Sequence, residues 1–123
     1  MTSVDRPAGI ILTEAAPMLA FQATNALYEE QPQLWQMGEQ GRARTLEDFG
    51  HHFHALGTLD ATIFTDHVAY CRTLFRNLGF PLKWLDDAWR IMADTLQREL
   101  PPEVAEQAVQ VLRAGSKVSS PGN

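Results

Sequence analysis

The chain of 123 residues has one cysteine, Cys71, so no internal disulfide can staple it. It has no apolar stretch near the roughly 18 residues a bilayer-crossing helix needs. Arg6 and the short Ile10-Ile11-Leu12 patch do not make a signal peptide, whose apolar region and cleavage pattern are missing. Basic residues are few: ten Lys and Arg against fifteen Asp and Glu leave a net charge of −5. Their closest approach to a cluster is Arg42 with Arg44. A general nucleic-acid binder, which carries a basic face, is thereby excluded. Strand-like alternation, internal repeats and low-complexity tracts are also lacking between the two ends. Together these absences favour a bacterial-type cytoplasmic protein with neither membrane nor nucleic acid as a partner.

What is present is helical periodicity. The length fits one domain with one packed core. Residues 1–11, with Pro7 and Gly9, read as a flexible arm, 12–114 as a helical domain, and 115–123 as a disordered tail. A first helix is expected from about Thr13 to Glu30, with Pro17 near its first turn. A short helix follows around Pro32 to Met37, and Gly38 and Gly41 allow a turn. Thr45, with Asp48 three residues on, reads as a capping-box start. Leu46, Phe49, Phe53 and Leu56 then form a one-face stripe that ends at Gly57. Asp60 caps the next helix, whose stripe is Phe64, Val68, Cys71, Phe75 and Leu78. Gly79 and Pro81 stop it and restart the chain. Leu82, Leu85, Trp89, Met92 and Leu96 make one stripe of the following helix, and Trp84, Ala88 and Ile91 a second, so it contacts neighbours on two sides. Pro101 and Pro102 break it, and a last helix runs from Glu103 to Arg113. The fold class is all-α: a single compact domain of five to six amphipathic helices, as an antiparallel bundle or with globin-like packing.

All four histidines and the cysteine fall on the third and fourth of these helices. At about 100° per residue, His51 points opposite the Leu46–Leu56 stripe and His54 more than about 90° from it. His52 lies on the flank beside Phe49 and Leu56, and His67 lies about 60° from its own stripe. His52 and His67 are therefore the pair that can face an interior pocket. Neutral imidazole there can ligate a metal or haem iron, or hydrogen-bond a chromophore. Glu47 with His51 and Asp48 with His52 stand at i,i+4, yet the four-ligand spacing of a structural metal site is missing, so they read as ordinary helix pairs. Cys71 falls in an apolar stripe, where cysteine behaves as a small hydrophobe. A Cys71–His67 nucleophilic pair at i,i+4 lacks an oxyanion element and a third orienting group. Trp35, Trp84 and Trp89 with five phenylalanines supply a core, and would also suit a flat hydrophobic ligand. The candidate ligand-lining set is His52, His67, Phe49, Phe53, Tyr70, Cys71 and Trp84. Trp84 and Ile91, off the main stripe, are expected as an apolar patch for a partner.

Several segments resemble a known helical domain. They are Gly38-Glu39-Gln40-Gly41-Arg42-Ala43-Arg44-Thr45-Leu46-Glu47-Asp48 with His52, then Ile63-Phe64-Thr65-Asp66-His67-Val68, and Leu78-Gly79-Phe80-Pro81. Over residues 34–100 they resemble the helical domain of bacterial sensory and regulatory proteins found ahead of cobalamin-binding photosensor modules. Thr45 stands where many of those relatives carry cysteine, and Tyr70 where they carry tryptophan. The cobalamin site itself is not implied, because the α/β module with its Asp-x-His-x-x-Gly signature is absent from this chain.

The resemblance implies a sensory or regulatory role more than a catalytic one. The leading reading is a non-enzymatic domain that works by protein–protein contact, with a protein partner or a homodimer. The alternative is a globin-like tetrapyrrole binder, for haem or bilin, with His52 or His67 beside the ligand. A small enzyme using His67 and Cys71 is the third reading.

Overall fold

In the computed structural model, residues 7–118 are described, with side chains as far as 116. Among the described residues, five α-helices and one short 3-10 segment make the all-α architecture that the periodicity predicts. The helices are α1 (Ala8–Glu30), α2 (Gly38–Leu56), α3 (Ala61–Leu78), α4 (Lys83–Glu99) and α5 (Pro102–Val118), with the 3-10 turn (Pro32–Met37) between α1 and α2. Among the described residues no helix is long and apolar enough to cross a membrane.

Helix α1 begins at Ala8, so residues 8–11 of the expected arm are helical. The Pro7 carbonyl accepts from the amides of Ile10 and Ile11 at 3.0 and 3.2 Å, and Leu12 is wholly buried. Gly9 makes this approach feasible: a Cβ there would stand 2.8 Å from the Gly57 carbonyl oxygen. Pro17 lies well inside α1 rather than in its first turn. It is exposed, as is Thr13, whose carbonyl loses its helical donor, so water can serve that oxygen.

The largest correction to the expected boundaries is at α2. It starts at Gly38, directly after the 3-10 turn, so Thr45 is not a cap. The Thr45 hydroxyl donates back to the Gly41 carbonyl at 3.0 Å, the usual use of a mid-helix threonine. The expected start of α3 is found: the Asp60 carboxylate accepts from the Thr62 and Ile63 amides at 2.8 and 3.1 Å. Its end is a Schellman motif. Gly79 is left-handed with φ 76°, its amide donates to Arg76, and the Phe80 amide donates to Phe75.

Helix α4 is the axle, packed against α1 on one side and α5 on the other, while α3 lies against α5 and α2 against α1. Both of its predicted stripes are buried from Leu85 to Leu96. Ile91, at 2 % exposure, therefore belongs to the core and not to a surface patch, whereas Trp84 is 38 % exposed. Thr24 and Thr95 are wholly buried, and each donates its hydroxyl to the carbonyl four residues back, so neither is left unpaired. Helix α5 continues four residues into the expected tail. Gly115 is the reason: its missing side chain lets α5 close on α3, where a Cβ would come within 2.5 Å of the Phe64 ring. The remaining residues of the arm and tail, 1–6 and 119–123, lie outside the described part.

Candidate functional site

Where the core cluster lies the helices are packed on buried side chains, but around the end of α3 and the start of α4 they leave a gap. The gap is a cavity of about 440 Å³ bordered by α1, the 3-10 turn, α2, the end of α3 and the start of α4. Its walls are apolar: Leu27, Leu34, Met37, Phe49, Leu74, Phe75, Leu78, Phe80, Trp84 and Leu85. Gln31, Gln40, Arg44, Thr45, Asp48, His52 and Asp87 supply polar groups. Five large apolar side chains on its rim remain more than a third exposed: Met37, Leu74, Leu78, Phe80 and Trp84. Phe80 is held between Phe75 and Trp84, with ring centroids 5.5 Å away on both sides.

The backbone explains the opening. The Gly79 stop turns the chain sharply, and the last turns of α3 before it leave Leu74 and Leu78 exposed beside the gap. Across the gap, the 3-10 turn carries no buried residue. Trp35 stacks edge-on against Tyr28 at 4.9 Å, which anchors the turn to α1. Gly41 then allows Met37 to fold back on α2, since a Cβ at Gly41 would meet that of Met37 at 2.6 Å.

His52 lies at the inner wall, 7 % exposed, while His51 and His54 face water as their helix angles predict. The His52 ring packs edge-on against Phe49, Trp89 and His67. Its Nδ1 is 2.8 Å from His67 Nε2, and Cys71 Sγ is 3.6 Å from the same His67 atom. With His67 Nε2 as the acceptor, His52 Nδ1–H donates the short hydrogen bond to its single lone pair, and the Cys71 thiol at 3.6 Å makes only a weak second contact. Burial, aided by the neighbouring His67 and His51, pushes the His52 pKa down to about 3. Burial and then His51 also lower that of His67. Both rings are therefore neutral near pH 7. Burial and the nearby Asp48 push the Cys71 thiol up to about 11. A thiol held protonated is a poor nucleophile, which weighs against the His67–Cys71 enzyme reading. Asp48 itself is raised by burial, with Arg44 acting in the opposite direction.

Of the residues expected to line a ligand site, His52, Phe49 and Trp84 border the cavity. His67 and Cys71 sit behind His52 and reach the cavity only through it. Phe53 is wholly buried in the core, because it completes the inward stripe of α2. Tyr70 is 64 % exposed on α3 and borders no part of the cavity, because it lies on the solvent side of that helix. Most of the lining was missed from the sequence, including Leu34, Met37, Leu74 and Asp87. Leu78 and Phe80 on the rim and Asp48 and Arg44 among the polar groups were missed as well. Their signal was the Gly38–Asp48 and Leu78–Pro81 segments, whose residues converge on this cavity from different elements.

Compared with known proteins, the chain matches no family model, no curated protein and no solved structure significantly.

Proposed function

We propose that this chain is a non-enzymatic helical sensory or regulatory domain whose signal is a small, flat, largely apolar ligand. The observation that carries the proposal is the aromatic-walled cavity of about 440 Å³, which falls within the ~300–1,000 Å³ typical of small-molecule sites. Apolar walls supply affinity, and the few polar groups fix orientation. The Arg44–Asp48 pair suits a polar edge on the ligand, and His52 suits a group deeper in.

A ligand in the cavity touches both the end of α3 and the start of α4 through Phe75, Leu78, Phe80 and Trp84. It thereby changes how much of the Leu78–Phe80–Trp84 rim is free to meet a protein partner or a second copy. Occupancy is then coupled to association, because a ligand shifts an assembly only as far as it binds the two states differently. A tetrapyrrole, haem or bilin, is the second reading, favoured by the imidazole in the wall.

The test is an absorbance titration of the purified protein with haem, biliverdin and a hydrophobic reporter dye, followed by sizing. The expected result is saturable binding of the dye, displaced by the true ligand class, and association altered by Trp84→Asp without loss of helicity. A Soret band that disappears in His52→Ala selects the haem reading. A clean monomer that binds none of the three at any concentration overturns the proposal.

A further inference from the structure

Behind the cavity wall, His52, His67 and Cys71 bring three metal-ligating atoms within 4.8 Å of one another. Two of the three donors are fixed by one helix: His67 and Cys71 stand at i,i+4 on α3 and so share a face. The third comes from α2, which reaches them over the short connection that ends at the Asp60 cap. Phe64 packs on His67, and Trp89 packs on both His52 and Phe64, so the cluster is walled by aromatic rings.

Two of the three donor spacings lie near those of coordination, and the third pair is within 4.8 Å. Bonds of about 2.0–2.1 Å to nitrogen and about 2.3 Å to sulfur place neighbouring donors roughly 3.3–3.8 Å apart around one ion. Cys71 Sγ and His67 Nε2 are already at 3.6 Å. His52 Nδ1 and His67 Nε2, at 2.8 Å, share a proton on the line between them. A cation that replaces this proton needs the two nitrogens to part by only about half an ångström.

We propose that His52 Nδ1, His67 Nε2 and Cys71 Sγ form a three-coordinate site for a soft monovalent cation, Cu(I). Three features select this ion. Thiolate and imidazole are soft and borderline donors. One thiolate with two neutral imidazoles makes the Cu(I) site neutral overall, which minimises the cost of burying charge. Zn(II) would leave a net positive charge behind aromatic walls and seeks a fourth ligand. The Asp48 carboxylate is not among the converging atoms. As the S–Cu bond forms, the thiol proton leaves to solvent, and the proton on His52 Nδ1 is carried instead on its other ring nitrogen. No electron moves. The site shares His52 with the cavity wall, so it is tested in the ligand-free chain.

The test is an anaerobic titration of the full, tag-free chain against Cu(I) held by a chromophoric chelator, with a parallel Zn(II) arm. The expected result is one Cu(I) withdrawn per chain, with affinity at least roughly tenfold weaker in Cys71→Ala and in His67→Gln. The double variant His51→Gln/His54→Gln should bind as the parent does. Circular dichroism on each variant separates ligand loss from unfolding, and Cys71→Ser provides a second thiol-free chain. No withdrawal of Cu(I) by the parent, or undiminished withdrawal by folded Cys71→Ala, overturns the site. One Zn(II) taken per chain in place of Cu(I) overturns the choice of ion.

Discussion

The two ends of the α3 stripe lead different lives. Phe64, Val68 and Cys71 are buried, Phe75 is half-buried, and Leu78 is 55 % exposed, although all five follow the same helical spacing. Helix α4 repeats the contrast in reverse, with Trp84 partly open near its start and Ile91, Met92 and Leu96 dry further along. The closed end has α5 drawn in by Gly115 and is filled by side chains. At the open end the Gly79 stop and the 3-10 turn leave apolar side chains around a gap. One periodic pattern thus serves two purposes: packing where a neighbouring helix covers it, and ligand contact where none does.

Stability measurements can break this comparison. The largest expected effect is Leu96→Ala at the closed end, which empties a fully buried site and should cost about 2–5 kcal/mol. Leu78→Ala on the open rim should stay within about 0.5 kcal/mol in the same urea unfolding series. Equal losses at both positions would mean that the two ends are packed alike.

The next effect is on pH dependence. Burial lowers the His52 pKa from 6.5 to about 3 in the folded chain. Below pH 6.5 the unfolded chain takes up a proton that the folded chain refuses, so stability falls with decreasing pH until about 3. The slope from this residue approaches about 1.4 kcal/mol per pH unit. His67, lowered in the same sense, adds to it. His52→Gln should flatten the profile across this window. A slope equal to the parent's in His52→Gln would contradict the buried, neutral His52.

The smallest contrast concerns glycines. Gly115→Ala drives a methyl into the Phe64 ring and should cost about 1–3 kcal/mol. Gly50→Ala, on α2 with open space around its Cβ direction, should instead stabilise by about 0.5–1 kcal/mol. Thermal unfolding of the two variants reads both signs directly.

Much of this fold can be read along the chain because the signals are local. Asp60 caps α3 and Gly79 takes a left-handed stop because each needs only its own neighbours. The inward directions of His52 and His67, and the outward ones of His51 and His54, follow from helical angle alone. The misleading signals are also local. Thr45 with Asp48 mimics a capping box, but the helix nucleates earlier, from the 3-10 turn, and the threonine serves the Gly41 carbonyl instead. Ile91 looks like surface until α1 and α5 cover opposite sides of α4. The α5 boundary depends on the fit of Gly115 against Phe64, a contact between helices about fifty residues apart, which helix propensity does not encode. The cavity has the same origin. It is the space left between helix ends, and its lining comes from five separate elements, so no single segment carries its signature. The triad was half legible: the His67–Cys71 spacing is sequential, but the approach of His52 is tertiary.

The most direct test of the account is to fill the open end while sparing the closed one. Thr45 is half-buried on the cavity wall, away from the core cluster, so Thr45→Trp places an indole in the gap. Dye and ligand titrations should show affinity reduced at least about tenfold, that is by about 1.4 kcal/mol or more, with the urea midpoint close to the parent's. Undiminished binding by a folded Thr45→Trp chain would contradict a ligand site at the open end of the bundle.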